Sequence, residues 1–201
     1  MKILVTGSEG FIGKNLIQHL KQEHEVEGFE YQPNVYPDAS QYDWVIHLGA
    51  ISSTTETNVD KILTQNYEYS IRLLQMCDQM GTNFQYASSA SVYGNTHFFN
   101  EECAVSPQSP YAWSKYLFDR FVEQAGEFQI LVQGFRYFNV YGPHEEHKGN
   151  QMSPVSKFIQ QAKESGVIKI FENSENYMRD FISVSDVCEV HKQMLKVDQS
   201  V

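Results

Sequence analysis

The chain has 201 residues, and its 15 Lys and Arg against 25 Asp and Glu give a formal net charge of −10. A nucleic-acid surface needs a basic field, so this balance argues against a nucleic-acid partner. No segment approaches the ~18 consecutive apolar residues of a membrane span, which excludes a membrane partner. Three cysteines without CxxC spacing argue against a metal site, and we expect a soluble, cytoplasmic protein.

Short β-type runs alternate with helical patterns along the chain, which is typical of a parallel sheet with crossover helices. The segment 31–42 between the second and third strands has only 12 residues and two prolines, so it predicts no helix. We expect an α/β fold with a Rossmann-type doubly wound parallel sheet, built by residues 1–201 as a single NAD(P)-binding domain. Strands are predicted at 2–6, 25–30, 43–49, 83–88, 129–137 and 167–171.

Helical spacing predicts three further elements. One helix is expected between residues 60 and 80, with a buried stripe formed by Leu63, Tyr67, Ile71, Leu74 and Cys77. A second begins at Ser153-Pro154 and stops at Gly166. The last is expected to begin at Ser185 and to turn four apolar residues inward, namely Val187, Val190, Met194 and Leu195.

The first strand runs into a turn in which Gly7, Gly10 and Gly13 have the spacing GxxGxxG. Glycines allow a tight turn and a close approach of the backbone to a pyrophosphate, and the helix that follows offers unpaired N–H groups. A purely structural turn is the alternative. The position between a strand and a helix favours dinucleotide binding, with Phe11 and Ile12 in the same cradle.

Glu30 ends the second strand, 17 residues after Gly13. A carboxylate there can accept both ribose hydroxyls of NAD and repels a 2′-phosphate. No Lys or Arg follows until Lys61, so the cofactor is predicted to be NAD or NADP, with NAD preferred. A solvated acid at a strand end is the competing interpretation.

Tyr111 and Lys115 are one helical turn apart, and Ser89 ends a predicted strand. A phenol is a poor base at neutral pH, but an ammonium beside it stabilises the phenolate and lowers its pKa. Such a Tyr can take a proton from a sugar hydroxyl while hydride leaves for the cofactor, and Ser89 can hydrogen-bond the same oxygen. The pair alone is usually structural; together with the glycine turn it predicts catalysis.

Four motifs carry a family resemblance: TGSEGFIG, HLGA at 47–50, SSASVYG at 88–94 and SPYAWSK at 109–115. The chain resembles the extended short-chain dehydrogenase/reductases, in particular nucleotide-sugar epimerases and dehydratases. The resemblance implies that Ser89, Tyr111 and Lys115 are catalytic. It further implies a role in cofactor binding for Tyr111, Lys115, Leu48, Gly49, Ala50 and Asn66.

The second half of the chain is similar to one branch of that family, the ADP-glycero-manno-heptose 6-epimerases. The similarity rests on segments 52–56, 136–143, 147–149 and 171–176, and on the run 179–181. It implies that Lys148 is a second acid/base opposite Tyr111, since protons must be exchanged on both faces of a transient carbonyl. A nucleotide sugar is then the substrate, bound by Ser52, Ser53, Ser89, Asn139, Lys148 and Arg179.

Members of this family carry a further ~100 residues of substrate domain, so we expect a truncated C-terminal substrate-binding part, to which about 140–201 contribute the start. Two alternatives stay open: another nucleotide-sugar 4-epimerase, and a non-catalytic dinucleotide-binding protein. A 4,6-dehydratase is disfavoured because Ser89-Ala90-Ser91 lacks an Asp-Glu pair. Related enzymes associate through the helices carrying Asn66 and Tyr111, which makes a homo-oligomer possible.

Overall fold

The computed structural model describes residues 1–96, 98–176 and 178–201 of the chain. Its centre is a five-stranded, fully parallel sheet in the order β2-β1-β3-β4-β5, which confirms the predicted architecture. The sheet is formed by β1 (Lys2–Thr6), β2 (Glu25–Phe29), β3 (Trp44–His47), β4 (Asn83–Ser89) and β5 (Val132–Tyr137).

Helices cover both faces of this sheet, and each face has its own apolar core. One face packs α1 (Phe11–Leu20) and α6 (Val184–Met194) over Ile3, Val5 and Ile46. The other face packs α3 (Tyr69–Met80) and α4 (Pro110–Gln124) over residues that alternate with these, because successive strand side chains point to opposite sides. The chain therefore reverses its winding direction between β1 and β3, and ligands of open α/β sheets bind at such a switch point.

The connection from β2 to β3 crosses β1 without an α-helix, as the sequence predicts. It contains one short 3₁₀ turn (Ala39–Gln41), whose first turn is capped by the Asp38 carboxylate. Two aromatic rings replace the packing that a helix would give: Tyr36 stacks on Tyr69 with centroids 4.6 Å apart, and Tyr31 meets the same ring edge-on at 5.0 Å. In the described residues β2 is the edge of the sheet, whereas the usual six-stranded order 3-2-1-4-5-6 has a strand outside it.

The helix expected between residues 60 and 80 is interrupted by a π-helical stretch. A short α2 (Val59–Ile62) runs into the π turn (Leu63–Glu68), and α3 follows. A π turn inserts an extra residue and rotates every later position around the axis. The predicted stripe is therefore partly wrong: Leu74 and Cys77 are buried, Leu63, Tyr67 and Ile71 are half-buried, and the first part of the stripe is replaced by Ile62, Asn66, Tyr69 and Leu73.

The predicted strand at 167–171 is wrong. Those residues form an exposed loop after α5 (Pro154–Ser165), and Phe171 is 89% exposed. β-type residues stabilise a strand only when they pack against neighbouring strands, and the described residues offer none here. A separate two-stranded parallel sheet forms instead from β6 (Asn139–Tyr141) and β7 (Phe181–Ser183).

Helix ends follow local capping chemistry. Ser153 and Gly166 bound α5 as predicted, with the Ser153 hydroxyl accepting from the Ser156 N–H and Gly166 in the left-handed region. The start predicted for α6 is wrong by two residues, because Ser183 rather than Ser185 provides the cap. Val190 is 43% exposed and does not point inward, whereas Val187 and Leu195 are buried.

None of the helices in the described residues combines the length and the apolar character that crossing a bilayer requires.

Candidate active site

The glycine turn is packed so tightly that side chains are excluded from it. A Cβ on Gly7 would lie 2.7 Å from the nitrogen of Gly49, and Gly7 also has φ +67°. A Cβ on Gly13 would lie 2.1 Å from the Gly7 oxygen. The N-cap of α1 is Gly10, which supplies no side-chain hydrogen bond, and the first turn holds no acidic residue. The N–H groups of Phe11, Ile12 and Gly13 therefore remain available to an anion, which fits a dinucleotide pyrophosphate.

Glu30 is folded back onto this turn. Its Oε1 accepts hydrogen bonds from the Ser8 hydroxyl (3.0 Å) and from the Glu9 N–H (2.7 Å). Within the described part of the chain, Oε2 has no donor. A carboxylate fixed through one oxygen, with the other free beside the cradle, fits the ribose contact predicted for it. The Lys14 ammonium also lies at this turn, 3.4 Å from the Glu9 carboxylate. The sequence argument considered only the basic residues that follow Glu30 and so overlooked this cation.

The predicted Ser, Tyr and Lys lie at the carboxyl end of β4 and on the facing side of α4. Ser109 caps α4 and Pro110 begins it, which fixes the helix start one residue before Tyr111. The Ser89 side chain faces the Tyr111 phenol and lowers its pKa, while its oxygen accepts from the N–H and the hydroxyl of Ser91. Lys115 is buried, and its Nζ donates to the carbonyl oxygen of Ala87 at 2.8 Å.

Burial has the largest effect on the pKa values of Tyr111 and Lys115. It raises the pKa of Tyr111, and the Ser89 side chain acts in the opposite direction. Burial lowers the pKa of Lys115 to about 8, opposed by the Asp119 carboxylate. The expected lowering of the Tyr111 pKa is therefore absent in the protein alone, because desolvation of the phenolate outweighs its neighbours. A positive ligand charge is needed to reverse it.

Asn66 is buried in the π turn, and both ends of its amide are used by the protein. Its Oδ1 accepts from the Ile51 N–H at 2.8 Å, and its Nδ2 donates to the Ile51 oxygen and to the Ser114 hydroxyl. Ser114 in turn donates to the carbonyl oxygen of Tyr111 at 2.7 Å. Asn66 thus joins the loop after β3 to α4, the helix of Tyr111 and Lys115. Its expected effect on the predicted cofactor site is to hold these two segments in position.

His47 extends this network to the glycine turn. Its Nδ1 is 2.7 Å from the Thr6 hydroxyl, which also accepts from the Gly49 N–H, and its Nε2 is 2.8 Å from the Ser70 hydroxyl. Ser70 donates to the Asn66 carbonyl oxygen. Burial lowers the pKa of His47 to about 3, so the ring is neutral at physiological pH. His47 is thus a hydrogen-bonded histidine of the core.

Lys148 lies against the glycine turn, with Nζ 4.4 Å from the centroid of the Phe11 ring. Its ammonium is 3.6 Å from Oε1 of Glu145, a carboxylate that is only 2% exposed. Glu145 also accepts from the N–H and the hydroxyl of Ser153 and from the hydroxyl of Ser156, which fastens the loop to the start of α5. Burial lowers the pKa of Lys148, opposed by Glu145.

Of the other residues predicted to bind substrate, Ser53 is half-buried and bonded to the Lys148 turn, and Asn139 and Arg179 are exposed. Ser53 accepts a hydrogen bond from Gln151 Nε2 at 2.9 Å, which joins the loop after β3 to the turn that carries Lys148. Asn139 donates to the carbonyl oxygen of Asp180. Arg179 is exposed and donates to the Met178 oxygen; within the described residues it forms no ion pair with Asp180 or Glu175. Ser52 is exposed, and the cofactor candidates Leu48, Gly49 and Ala50 are half-buried at the end of β3.

Sequence reasoning missed two buried carboxylates, Asp119 and Glu145. Asp119 had a usable signal, because it continues the four-residue spacing of Tyr111 and Lys115. Glu145 offered no comparable signal in the sequence, since its hydrogen-bond donors, Ser153 and Ser156, lie at the start of α5.

The comparisons with known proteins agree with this geometry. Residues 3–201 match the family model described as NAD dependent epimerase/dehydratase family. An ADP-L-glycero-D-manno-heptose-6-epimerase of Thiobacillus denitrificans is 37% identical over 228 aligned positions, covering 96% of this chain and 68% of the relative. About 193 residues of this chain fall within that alignment, so about 35 of its positions have no counterpart here.

Two solved structures extend the comparison. An ADP-L-glycero-D-manno-heptose-6-epimerase of Helicobacter pylori superposes with a TM-score of 0.90 at 29% identity, covering 100% of this chain and 74% of the other. A UDP-glucuronic acid 4-epimerase of Bacillus cereus, solved in complex with NAD, has a TM-score of 0.80 at 26% identity and the coverages 100% and 76%. With its parallel sheet, its glycine cradle and its Ser-Tyr-Lys group, the chain belongs to the NAD-dependent epimerase/dehydratase family.

Proposed function

We propose that this chain is an NAD-dependent epimerase of a nucleotide-activated sugar, and that its substrate is an ADP-heptose epimerised at carbon 6. The observation that carries the proposal is the position of Lys148. It brings a second ionisable group to the glycine cradle, 4.4 Å from the Phe11 ring, on a loop distinct from the helix of Tyr111. The 37% identity to a heptose epimerase supports the choice of substrate.

The residues divide the chemistry between them. The turn from Gly7 to Gly13 would hold the pyrophosphate of NAD, and Glu30 would bind its ribose. When bound, NAD supplies an acceptor for hydride from the sugar carbon and returns the same hydride. Tyr111 would take the hydroxyl proton as the carbonyl forms, with Ser89 hydrogen-bonded to the reacting oxygen, and Lys148 would supply the proton when hydride returns to the other face; both groups then exchange protons with solvent.

Lys148 and Lys115 have separate tasks in this proposal. Lys148 serves the opposite face of the carbonyl, and the lowering of its pKa by burial makes its ammonium a better proton donor there. Lys115, charged below a pKa of about 8, favours the Tyr111 phenolate over the phenol.

The direct test is to incubate the purified chain with NAD and ADP-heptose of one configuration and to follow appearance of the other epimer by NMR. Tyr111→Phe removes the phenol and is expected to lower the rate by at least about 10³-fold while NAD binding persists. Tyr116→Phe, on the same helix, is the matched control and should leave the rate unchanged. Turnover of UDP-glucuronic acid in place of ADP-heptose would favour a 4-epimerase, and NAD binding without any turnover would contradict the enzyme assignment.

We infer further that residues 1–201 form one NAD(P)-binding domain, to which about 140–201 contribute the start of the substrate-binding part. The separate small sheet of β6 and β7 supports this division, because it lies outside the five-stranded sheet. A cytoplasmic location is favoured by the three free cysteines, Cys77, Cys103 and Cys188. Limited proteolysis with and without NAD tests the division: protection is expected before about residue 140.

We also propose a homo-oligomer that associates through α3 and α4. Its support is an exposed aromatic ring on α4, since Trp113 is 48% exposed and meets the half-buried Tyr116 ring with centroids 5.6 Å apart. Exposed aromatic surface is enriched at protein interfaces. Sedimentation of the chain and of Trp113→Ser tests this, and an unchanged mass for a Trp113→Ser oligomer would rule out this surface.

A further inference from the structure

Three consecutive residues of β4 contact three successive turns of α4. The Ala87 carbonyl accepts from Lys115 Nζ at 2.8 Å, the Ser88 hydroxyl donates to Asp119 Oδ2 at 2.8 Å, and Ser89 acts on the pKa of Tyr111. Tyr111, Lys115 and Asp119 are each four residues apart and so share one face of the helix. Asp119 therefore belongs to the same column as the two residues assigned to catalysis.

Asp119 is a buried carboxylate, 4% exposed; burial raises its pKa, and its contacts with Ser88, Arg136 and Lys115 oppose that effect. Its Oδ2 accepts from Ser88 and from Arg136 Nε at 3.2 Å, and Arg136 lies over the Tyr93 ring. Its Oδ1 has no hydrogen-bond partner in the described residues. A buried carboxylate oxygen without a donor is costly, which indicates that the charge is retained for an electrostatic purpose beyond holding β5 to α4.

Burial destabilises the charged form of Lys115, and the charge of Asp119 offsets part of this effect. The hydrogen bond of Lys115 goes to the neutral Ala87 carbonyl, and no carboxylate lies within ion-pair distance of it among the described residues. The groups that interact electrostatically with Lys115 are Asp119 on α4 and His47 on β3, and Asp119 interacts in turn with Arg136 on β5 and Tyr86 on β4.

These contacts differ in sign. Arg136 is positive and disfavours a second cation, while Tyr86 and His47 are neutral, since burial first raises the pKa of Tyr86 and lowers that of His47. Asp119 is thus the sole negative charge in that set. We propose that Asp119 is a positioning residue for Lys115, whose carboxylate keeps the buried ammonium charged and directed along the end of β4. The catalytic use of this ammonium rests on the proposed function; the charge coupling does not.

The test follows the titration of Lys115 directly, by NMR of the chain labelled with ¹³C at lysine Cε and assigned with Lys115→Arg. In Asp119→Asn we expect the pKa of Lys115 to fall by at least about one pH unit, a tenfold change in the protonation equilibrium. Asp119→Glu keeps the charge and should restore the value of the unmodified chain. Ser88→Ala removes a hydrogen bond to the same oxygen without removing a charge, and should shift the titration by less than about 0.3 unit.

An unchanged Lys115 titration in a folded Asp119→Asn variant would overturn the inference. If that variant does not fold, the reciprocal measurement decides, because coupling between two sites is mutual. Lys115→Met should then raise the pKa of the Asp119 carboxyl in the otherwise unmodified chain, and no rise would equally overturn it. Neither measurement needs turnover, so a chain that fails the epimerase assay can still pass or fail this test.

Discussion

The backbone of Gly7 touches the backbone of Gly49, so that a methyl group on Gly7 would sit 2.7 Å from the Gly49 nitrogen. These residues end β1 and β3, the two strands between which the winding of the sheet reverses. Their contact forms the floor of the crevice. The N–H groups in the first turn of α1 that are available to a ligand follow shortly after Gly7 in the sequence. Binding of the dinucleotide therefore depends on the absence of side chains at this point.

Substitution of the turn glycines tests this dependence. Gly13→Ala would place a methyl group 2.1 Å from the Gly7 oxygen, and the turn must open to admit it. We expect NAD affinity to fall by at least about 10-fold, with a loss of stability of about 1–3 kcal/mol from overpacking. Gly81→Ala is the control for an added methyl group without overpacking: Gly81 has nothing within 4 Å, although unlike Gly13 it has a positive φ. It should cost about 1 kcal/mol through backbone strain and leave NAD affinity unchanged. Titration calorimetry and urea unfolding measure both quantities.

Glu30 is predicted to set the preference between NAD and NADP. In Glu30→Gln the side chain keeps its size but loses the charge that repels a 2′-phosphate. We expect the ratio of the two dissociation constants to move toward NADP by about 10-fold or more. Glu27→Gln, on the same strand and bonded instead to Tyr42 and Lys2, is the control. Equal shifts in both variants would show that net charge, and not Glu30, governs the choice.

Lys148 is expected to matter for chemistry and not for cofactor affinity. Lys148→Met retains the apolar stem over Phe11 but loses the amine, so kcat should fall by about 10²-fold or more. The dissociation constant for NAD should change by less than about threefold. Lys163→Met, in the last turn of α5, is the control for loss of one positive charge. A Lys148→Met variant with unimpaired kcat would place the second proton exchange on another residue.

Two buried histidines predict how stability depends on pH. Burial lowers the pKa of His47 and of His191 to about 3, so both are neutral when folded and take up protons on unfolding below about pH 6.5. The unfolded state therefore binds more protons between pH 6.5 and 3, and stability must fall as the pH falls through this window. Each histidine contributes a slope of about 1.4 kcal/mol per pH unit.

Urea unfolding at several pH values measures that slope. His47→Gln and His191→Gln should each reduce it by about the contribution of one histidine, although both lose stability at neutral pH. His144→Gln replaces an exposed histidine and should leave the slope unchanged. Parallel pH dependences in all four proteins would mean that the buried histidines are not the cause of acid destabilisation.

Local chemistry made much of this predictable. The spacing of the glycines after a strand identified the cradle. The four-residue spacing of Tyr111 and Lys115 placed both side chains on one side of α4, whose start is fixed by Ser109 and Pro110. The parallel sheet with its crossover helices followed from the alternation of strands and helices. In each case the information lies within a few neighbouring residues.

The misses have a common physical origin, since each depends on partners that are distant in sequence. The run 167–171 has β-type composition but no neighbouring strand among the described residues. Asp119 is buried because Ser88 and Arg136 come from β4 and β5. The π turn at Asn66 is bonded to Ile51 and Ser114, and it rotated the helix away from the simple periodic stripe.

The helix-free connection between β2 and β3 has a consequence for the history and the engineering of such proteins. A crevice created where winding reverses depends on β1 and β3 alone, and not on how far the sheet extends beyond them. Material can therefore be deleted from the outer margin of the domain while its ligand-binding centre persists, as long as a few aromatic rings such as Tyr31 and Tyr36 seal the exposed flank. The number of strands on that side can therefore vary independently of the crevice. Such strands can be lost in evolution or left out when smaller dinucleotide-binding scaffolds are designed.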